Sequence, residues 1–214
     1  KNVALKNIFL LVASLFFYAW GEPVWVLMLL FSAMLDYTCG RVIDKFRGKW
    51  QAKAALLSSL IINLGILFVF KYSGFIVGNI NAIFGINIPF SGFNLPLGIS
   101  FYTFQTISYT IDVYRGDTNV QKSPLKYLTY LSMFPQLVAG PIERATNLLP
   151  QFYTSRKFDY DTAVDGMRQI LWGLFKKIVV ADNCAIYVNE VFADYTNQSG
   201  STLLLGAIFF AFQI

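Results

Sequence analysis

The hydrophobic positions of the chain fall into blocks separated by short polar stretches. Residues 8–20 are apolar, the Gly-Glu-Pro sequence at 21–23 interrupts them, and residues 24–35 are apolar again. Each block is shorter than the roughly 20 residues that cross a bilayer as a helix. We therefore expect a short helix, a break and a second short helix, either tilted or re-entrant, because broken backbone at membrane depth must be buried in protein or line a cavity.

A basic stretch and a strongly apolar run come next. Residues 41–53 carry five Lys or Arg against Asp44 alone. The excess of positive charge predicts a cytoplasmic loop. Residues 54–70 are apolar except for Asn63 and predict a membrane helix that ends at Lys71, whose ammonium can reach the interface.

The following segments mix apolar and hydrogen-bonding residues. Residues 75–84 remain apolar, and the Gly, Pro, Asn and Ser content of residues 85–94 predicts a loop. Residues 95–114 are apolar but contain several hydroxyls and an amide. A helix of this kind faces protein or water on at least one side, because polar groups turned toward lipid are costly.

Proline positions divide the next part of the chain. Pro124 can open a helix as its first residue, and we expect that helix to cover residues 125–138, to carry Pro135 and to stop at residues 139–141. Residues 142–156 read as a mixed loop.

The last part of the chain predicts two more helices. Residues 158–161 offer an acidic helix start, which suits the positive end of the helix dipole. Residues 162–195 then read as helix throughout, lying partly along the membrane surface, with Lys176 and Lys177 midway. A further membrane helix begins near Ser201.

Composition supports an integral membrane protein. Hydrophobic residues make up 56% of the 214 residues and charged residues 14%, against about 25% charged in soluble domains. The net charge of +5 lies mainly between apolar segments, so it indicates orientation in the bilayer and no nucleic-acid partner. We expect an all-α, multi-pass protein of the cell (inner, cytoplasmic) membrane with about six to eight membrane-embedded segments.

The ends of the sequence suggest a piece of a longer protein. The chain opens with Lys rather than Met and closes inside an apolar run. We expect residues 1–214 to form a single incomplete membrane domain.

Few residues could carry catalysis. Histidine is absent, which removes the usual general base. Cys39 and Cys184 are far apart and lack metal-site spacing, so we predict no metal ligands. We assign no catalytic residue.

Two motifs place Pro and Gly beside polar groups in apolar surroundings. The first is LPLGISFYTFQ at residues 95–105, continued by IDVYRG at residues 111–116, and the second is FPQLVAGPIER at residues 134–144. Such patterns indicate helix ends that meet around a cavity. Our candidate substrate-binding residues are Ser100, Gln105, Tyr109, Asp112, Arg115, Gln136, Glu143 and Arg144.

These motifs resemble the membrane-bound O-acyltransferase family, within it the branch that O-acetylates alginate and related exopolysaccharides. The resemblance extends to FYAW at residues 17–20, GLFKK at residues 173–177 and Ala-Asp at residues 181–182. Members that attach D-alanine to teichoic acid share a Gly-Ile-Ser and a Gly-Pro-Ile segment, but residues 111–116 are closer to the alginate type.

The resemblance implies an incomplete helical barrel around a tunnel. An acetyl or similar acyl group would pass from a cytoplasmic donor, acetyl-CoA, to a polysaccharide outside, where an extracytoplasmic acetyltransferase partner would take part. No bound cofactor is implied. The family's catalytic histidine lies C-terminal to the matched region, so no residue here inherits that role and we expect the fragment to be inactive.

Each charged candidate has a structural alternative. Asp112 and Arg115 are three residues apart and would face one another on a helix, either as an ion pair that fixes the helix end or at the mouth of the tunnel. Glu143 and Arg144 are adjacent and would point in different directions, either anchoring a loop or touching donor or acceptor. Lys71 is a further ionisable candidate.

The uncharged candidates are equally open. Gln105, Ser108 and Tyr109 could join helices by hydrogen bonds or bind substrate. Lys176 and Lys177 could attract an anionic donor or acidic lipid, or act as interfacial anchors. Two non-enzymatic functions also remain: a transporter or channel, disfavoured by the lack of an inverted repeat, and a structural subunit whose partner does the chemistry.

Overall fold

The computed structural model describes residues 2–137, 140–155 and 157–214. The chain divides into two compact units, Lys1–Arg156 and Lys157–Ile214. Within the described residues every regular element is helical, so the all-α prediction is confirmed. A single domain, and closure of its helices into a barrel around a tunnel, stay predictions.

The first two helices are longer than the apolar blocks that predicted them. Helix α1 covers Val3–Gly21 and α2 covers Val26–Lys45. The expectation of two half-length helices was wrong, because helical hydrogen bonding continues into the polar flank of each block. Asn2 begins α1 by accepting a hydrogen bond from the Ala4 amide at 3.2 Å.

Helix α3 covers Trp50–Phe84 and is 35 residues long. It does not end at Lys71, as the sequence predicted, because lysine is a good helix former and its flexible stem can carry the ammonium away from apolar surroundings. The basic stretch 41–53 is not a loop either. Only residues 46–49 leave the helices, in a turn at which Gly48 has φ of +80°.

Helices α1, α2 and α3 are each long and apolar enough to cross a membrane. Such helices within the described residues confirm the prediction of a membrane protein. The expected six to eight embedded segments include shorter ones, and their number stays a prediction.

Helix α4 covers Ile99–Arg115 and follows a loop that includes the predicted residues 85–94. It begins four residues later than expected because Pro96 disfavours helix before it and Gly98 adopts φ of +73°. Helix α5 covers Pro124–Ser132, with Pro124 in the first turn as predicted.

The helix predicted for residues 125–138 is interrupted. α5 ends at Ser132, and a separate turn, α6, covers Phe134–Leu137. The interruption precedes Pro135, which has no amide hydrogen to continue the helix. The last predicted residue, Val138, and the first residue of the expected stop, Ala139, lie outside the described residues.

The segment expected to be a mixed loop, residues 142–156, contains regular structure. Helix α7 covers Ala145–Leu148 and continues into a 3-10 turn, Leu149–Phe152. The loop prediction was wrong for these residues, whose apolar side chains Leu148, Leu149 and Phe152 are buried in the first unit. Arg156 lies outside the described residues.

In the first unit, α2 packs against both α3 and α4, while α5 packs against α1 and α2. The buried core contains unusually many tyrosines. They are Tyr18, Tyr102, Tyr109, Tyr127 and Tyr130.

The second unit is a long helical rod followed by a short helix. Helix α8 covers Tyr160–Phe175, a π-helical segment covers Lys176–Ala181, and α9 covers Asp182–Ala193. This confirms the predicted helix apart from its last two residues. After a 3-10 turn, Tyr195–Asn197, helix α10 covers Gly200–Gln213 and packs on α9.

The rod begins where the acidic cluster predicted. The Asp159 carboxylate accepts a hydrogen bond from the Thr162 amide at 2.7 Å. This hydrogen bond lowers the pKa of the Asp159 carboxyl, as expected for a helix N-cap. The position of the rod along the membrane surface stays a prediction.

Candidate functional site

Among the described residues, helix α4 carries more buried polar side chains than any other helix of the first unit. It contacts α2, α3 and α5, so its polar groups face protein on several sides, as the sequence predicted. The buried residues of α4 with polar side-chain atoms are Tyr102, Thr103, Gln105, Thr106, Tyr109, Thr110 and Asp112.

The end of α5 leaves backbone polar groups beside α4 without their helical hydrogen-bond partners. Met133 has a non-helical ψ of 112°. The helical hydrogen bond from the Phe134 amide to the Tyr130 carbonyl is therefore not formed. The Phe134 amide instead donates to Ser14 Oγ, midway along α1, at 3.3 Å. The Tyr130 carbonyl therefore accepts hydrogen bonds from other donors.

Three predicted site residues meet around Tyr130. Its carbonyl oxygen accepts hydrogen bonds from the side-chain amides of Gln136 at 3.0 Å and Gln105 at 3.4 Å. Its hydroxyl donates to the Glu143 carbonyl at 3.1 Å. The structure therefore brings Gln105, Gln136 and the Glu143 backbone together. Both glutamine side chains donate to a carbonyl that has lost its helical partner at the end of α5.

Tyr109 fixes a different connection. Its hydroxyl accepts a hydrogen bond from the Gln121 amide at 2.9 Å, and the Gln121 side chain accepts one from the Tyr153 hydroxyl at 2.7 Å. The Tyr109 ring lies against Gly40 of α2 and against the Tyr127 ring, with centroids 4.8 Å apart. Two roles were predicted for Tyr109, joining helices and binding substrate. The observed contacts are those of a residue that joins structural elements.

A cavity of about 470 Å³ opens next to this hydrogen-bonded group. Gln121 and Tyr153 line it together with Asn119 and Thr118. The Lys126 ammonium lies 3.3 Å from the centroid of the Tyr153 ring. The polar interior around Tyr109 is thus close to space that a ligand could enter.

Asp112 and Arg115 do not form the ion pair that was one of their predicted roles. Asp112 is buried, and its Oδ2 atom has no hydrogen-bond partner, whereas Arg115 is exposed. The helix ends at Arg115 with Gly116 as its C-cap, and Arg47 from the α2–α3 turn donates to the Val113 carbonyl at 3.0 Å. Arg47 therefore takes the helix-end position that sequence reasoning gave to Arg115.

The remaining candidates are spread out. Ser100 is half-buried in the first turn of α4, about 22 Å along the helix axis from Arg115. Glu143 is half-buried, and Arg144 is exposed immediately before α7. The eight predicted residues thus do not converge on one point.

The structure adds a buried acid that the sequence reasoning missed. Asp36 of α2 is fully buried, and its carboxylate accepts hydrogen bonds from Ser59 Oγ and, at 2.8 Å, from the Asn63 side-chain amide. The Thr106 and Thr110 hydroxyls of α4 donate to carbonyls of their own helix, those of Thr103 at 2.9 Å and Thr106 at 3.1 Å. Asp36 therefore joins α2 to α3.

The ion pairs found among the described residues are Arg47 with Asp44 and Lys177 with Asp182, so none includes Asp36. A carboxyl group held only by neutral donors at membrane depth is a functional candidate, since such groups are rare and costly there. A sequence signal existed: Asp36 directly follows an apolar run and precedes nine further helical residues.

No group of three or more His, Cys, Asp or Glu side chains that could hold a metal occurs within the described residues. Cys39 is buried and Cys184 is half-buried, and neither forms a disulfide. What the described interior offers is hydrogen-bonding capacity: carboxyl groups, amides and tyrosine hydroxyls.

Curated proteins similar to this chain are named as O-acetylases or O-acetyltransferases. The chain is 35% identical to the probable alginate O-acetylase AlgI of Pseudomonas putida over 98% of this chain and 44% of the relative. It is a relative of the alginate O-acetylases. The resemblance inferred from the motifs is thereby confirmed.

Other relatives agree. The probable alginate O-acetylase AlgI of Pseudomonas aeruginosa is 34% identical over 98% of this chain and 41% of the relative. The peptidoglycan O-acetyltransferase of Helicobacter pylori is 30% identical over 100% of this chain and 46% of the relative. The chain spans less than half the length of these curated relatives. No protein-family model matches it, and no solved structure matches it significantly.

Proposed function

We propose that this chain is part of a membrane-bound O-acetylase of the cytoplasmic (inner) membrane. The protein transfers acetyl groups from acetyl-CoA on the cytoplasmic side toward a cell-surface polysaccharide such as alginate, with an extracytoplasmic acetyltransferase partner completing the transfer. The observation that carries this proposal is the 35% identity to an alginate O-acetylase over 98% of the chain. The transporter, scaffold and D-alanyl-transfer alternatives have no comparable support.

The interior of the first unit is compatible with this function. Moving an acyl group past a bilayer requires polar groups that face protein, because lipid-facing polar groups are costly. Helix α4 provides such a face, and the broken α5–α6 connection ends beside it. In this proposal Gln105 and Gln136 hold the broken helix, while Ser100, Asp112, Arg115 and Arg144 remain substrate-contact candidates.

Acyl transfer to a hydroxyl also needs a proton acceptor. This sequence has no histidine, so we propose that a residue outside these 214 supplies the base. Residues 1–214 alone should then give no acetyl transfer from acetyl-CoA above a control without protein. Transfer by the purified chain would refute this part of the proposal.

The function can be tested in a chimera. In a Pseudomonas putida strain that lacks its own alginate O-acetylase, the matching segment of that enzyme is replaced by this chain. Acetyl esters on secreted alginate are then measured. We expect partial restoration, whereas the enzyme with the segment deleted should restore nothing. A chimera that reaches the membrane at normal abundance and yields no acetyl esters contradicts the proposal.

The Helicobacter pylori relative suggests a second acceptor class. It is named as a peptidoglycan O-acetyltransferase, and the match covers the whole of this chain. Measuring acetyl esters in both alginate and peptidoglycan of the chimeric strain distinguishes the two acceptors.

A further inference from the structure

An open surface cavity of about 400 Å³ lies at the turn between α2 and α3. Three cationic side chains, Arg47, Lys49 and Lys53, line it, and two aromatic side chains, Trp50 and Tyr114, form part of its wall. Basic residues that only orient a protein in a membrane need not surround a cavity. Their convergence here therefore requires another explanation.

The three cationic side chains differ in the hydrogen bonds and ion pairs that they already form. Arg47 donates to the Val113 carbonyl at 3.0 Å and lies 3.9 Å from Asp44. Lys49 and Lys53 are exposed, and neither belongs to an ion pair within the described part of the chain. No Asp or Glu lines the cavity. Two positive charges thus remain available to an anion.

The start of α3 adds to the positive potential. Lys49 occupies the N-cap position, and no side chain caps this end of the 35-residue helix. The first amides of a helix lack intrahelical partners, and the helix dipole makes this end positive. Anionic groups, phosphates above all, bind at such ends.

The aromatic side chains indicate the depth of the cavity. Trp50 is 75% exposed and Tyr114 is 40% exposed, and both residue types are enriched where membrane meets water. Since α3 begins at Trp50 and then becomes apolar, the cavity lies at this boundary. Its ligand must reach the site from water or from the lipid headgroups.

We propose that this cavity binds a phosphate group. Lys49 and Lys53 would pair with its oxygens. The Ala52 amide already donates to the Lys49 carbonyl at 3.1 Å, so the amides of Trp50 and Gln51 at the start of α3 would donate to the phosphate. The phosphate can belong to an anionic phospholipid headgroup or to a soluble pyrophosphate-containing molecule. The proposal does not depend on the acetyltransferase activity.

Two binding measurements on the purified chain distinguish these sources. In the first, the chain is reconstituted in phosphatidylcholine nanodiscs and titrated with inorganic pyrophosphate by calorimetry. In the second, the chain is purified from mixed micelles of phosphatidylcholine and phosphatidylglycerol, and the retained lipid is quantified by mass spectrometry. Each measurement is repeated at higher salt, which weakens contacts between exposed charges.

The test variant is Lys49→Gln/Lys53→Gln. The matched control, Lys71→Gln/Lys122→Gln, removes the same charge from two exposed lysines of the first unit that do not line the cavity. Lys49→Arg/Lys53→Arg keeps the charge. Circular dichroism and thermal unfolding verify that all variants fold.

We expect the test variant to lose about tenfold in affinity for one of the two probes, the control less than twofold, and the arginine variant to bind. Loss of pyrophosphate binding assigns a soluble ligand, and loss of phosphatidylglycerol retention assigns a lipid. If neither probe binds, or if the test and control variants lose binding equally, the proposal is overturned.

Discussion

The Asn63 side-chain amide donates a hydrogen bond to the Asp36 carboxylate at 2.8 Å, and this contact joins α3 to α2 in the interior of the first unit. Ser59 Oγ donates to the other carboxylate oxygen. Because all three side chains are fully buried, the group depends on each member to satisfy the others.

Asp36→Ala should therefore destabilise the protein. The substitution leaves the Ser59 hydroxyl and an Asn63 amide hydrogen without their acceptor, which costs about 1–3 kcal/mol. Asp36→Asn keeps an acceptor oxygen and should cost less. The free energy of unfolding in mixed detergent micelles measures both. Asp44→Ala, an exposed acid on the same helix, is the control and should change this free energy by less than about 0.5 kcal/mol.

The broken helix end at Tyr130 predicts non-additive effects. Gln105→Leu and Gln136→Leu each remove one donor from the Tyr130 carbonyl and should cost about 0.5–1.5 kcal/mol. The double variant leaves that buried carbonyl without either amide, so its cost should exceed the sum of the single costs. A double-mutant cycle of unfolding free energies measures the difference. Strict additivity would mean that the two amides act independently of this carbonyl.

Close packing of α2 against α4 predicts opposite outcomes at two glycines. A Cβ atom at Gly40 would lie 3.1 Å from the Tyr109 ring, whereas one at Gly65 of α3 meets nothing within 4 Å. Gly40→Val should cost about 1–3 kcal/mol through overpacking. Gly65→Ala should be neutral or stabilise by up to about 1 kcal/mol, because alanine favours helix. Thermal unfolding of the two variants checks both signs, and a stable Gly40→Val protein would contradict the observed contact.

Topology can be tested at the two ends of α3. After Cys39 and Cys184 are replaced by Ser, Lys49→Cys should react with an impermeant thiol reagent only from the cytoplasmic side, as the excess of basic residues predicts. Asn94→Cys, in the loop beyond the other end of α3, should react only from outside. The cysteine is placed at Lys49 and not at the neighbouring Gly48, because Gly48 has φ of +80° and any residue other than glycine would be strained at that position. The reverse labelling pattern would invert the orientation.

Local signals in the sequence predicted the start of α5. Ser123 caps α5 through the Lys126 amide, and Pro124 occupies its first turn, both by short-range chemistry that the sequence displays. The buried polar face of α4 was likewise predictable, because hydroxyls on an apolar helix must face protein or water.

Long-range partners were not predictable. Asp36 finds its donors 23 and 27 residues away, so its place after an apolar run marks it as a candidate but does not identify its partners. Asp112 and Arg115 have the spacing of an ion pair on an ideal helix. The helix ends at Arg115, and Arg47, 66 residues before Val113, binds the carbonyl there instead.

The π-helical segment Lys176–Ala181 changes the direction in which the side chains of α9 point. A π turn holds one residue more than an α turn, and each residue corresponds to about 100° of rotation. The side chains of α9 therefore point about a quarter-circle away from where an uninterrupted α-helix would aim them. Val188 and Val191 of α9 are buried, and Val191 lies against Gly206 of α10. Deleting one residue from the segment would leave a continuous α-helix with this surface still on its neighbour, whereas forcing all six residues into an α-helix would turn the surface away.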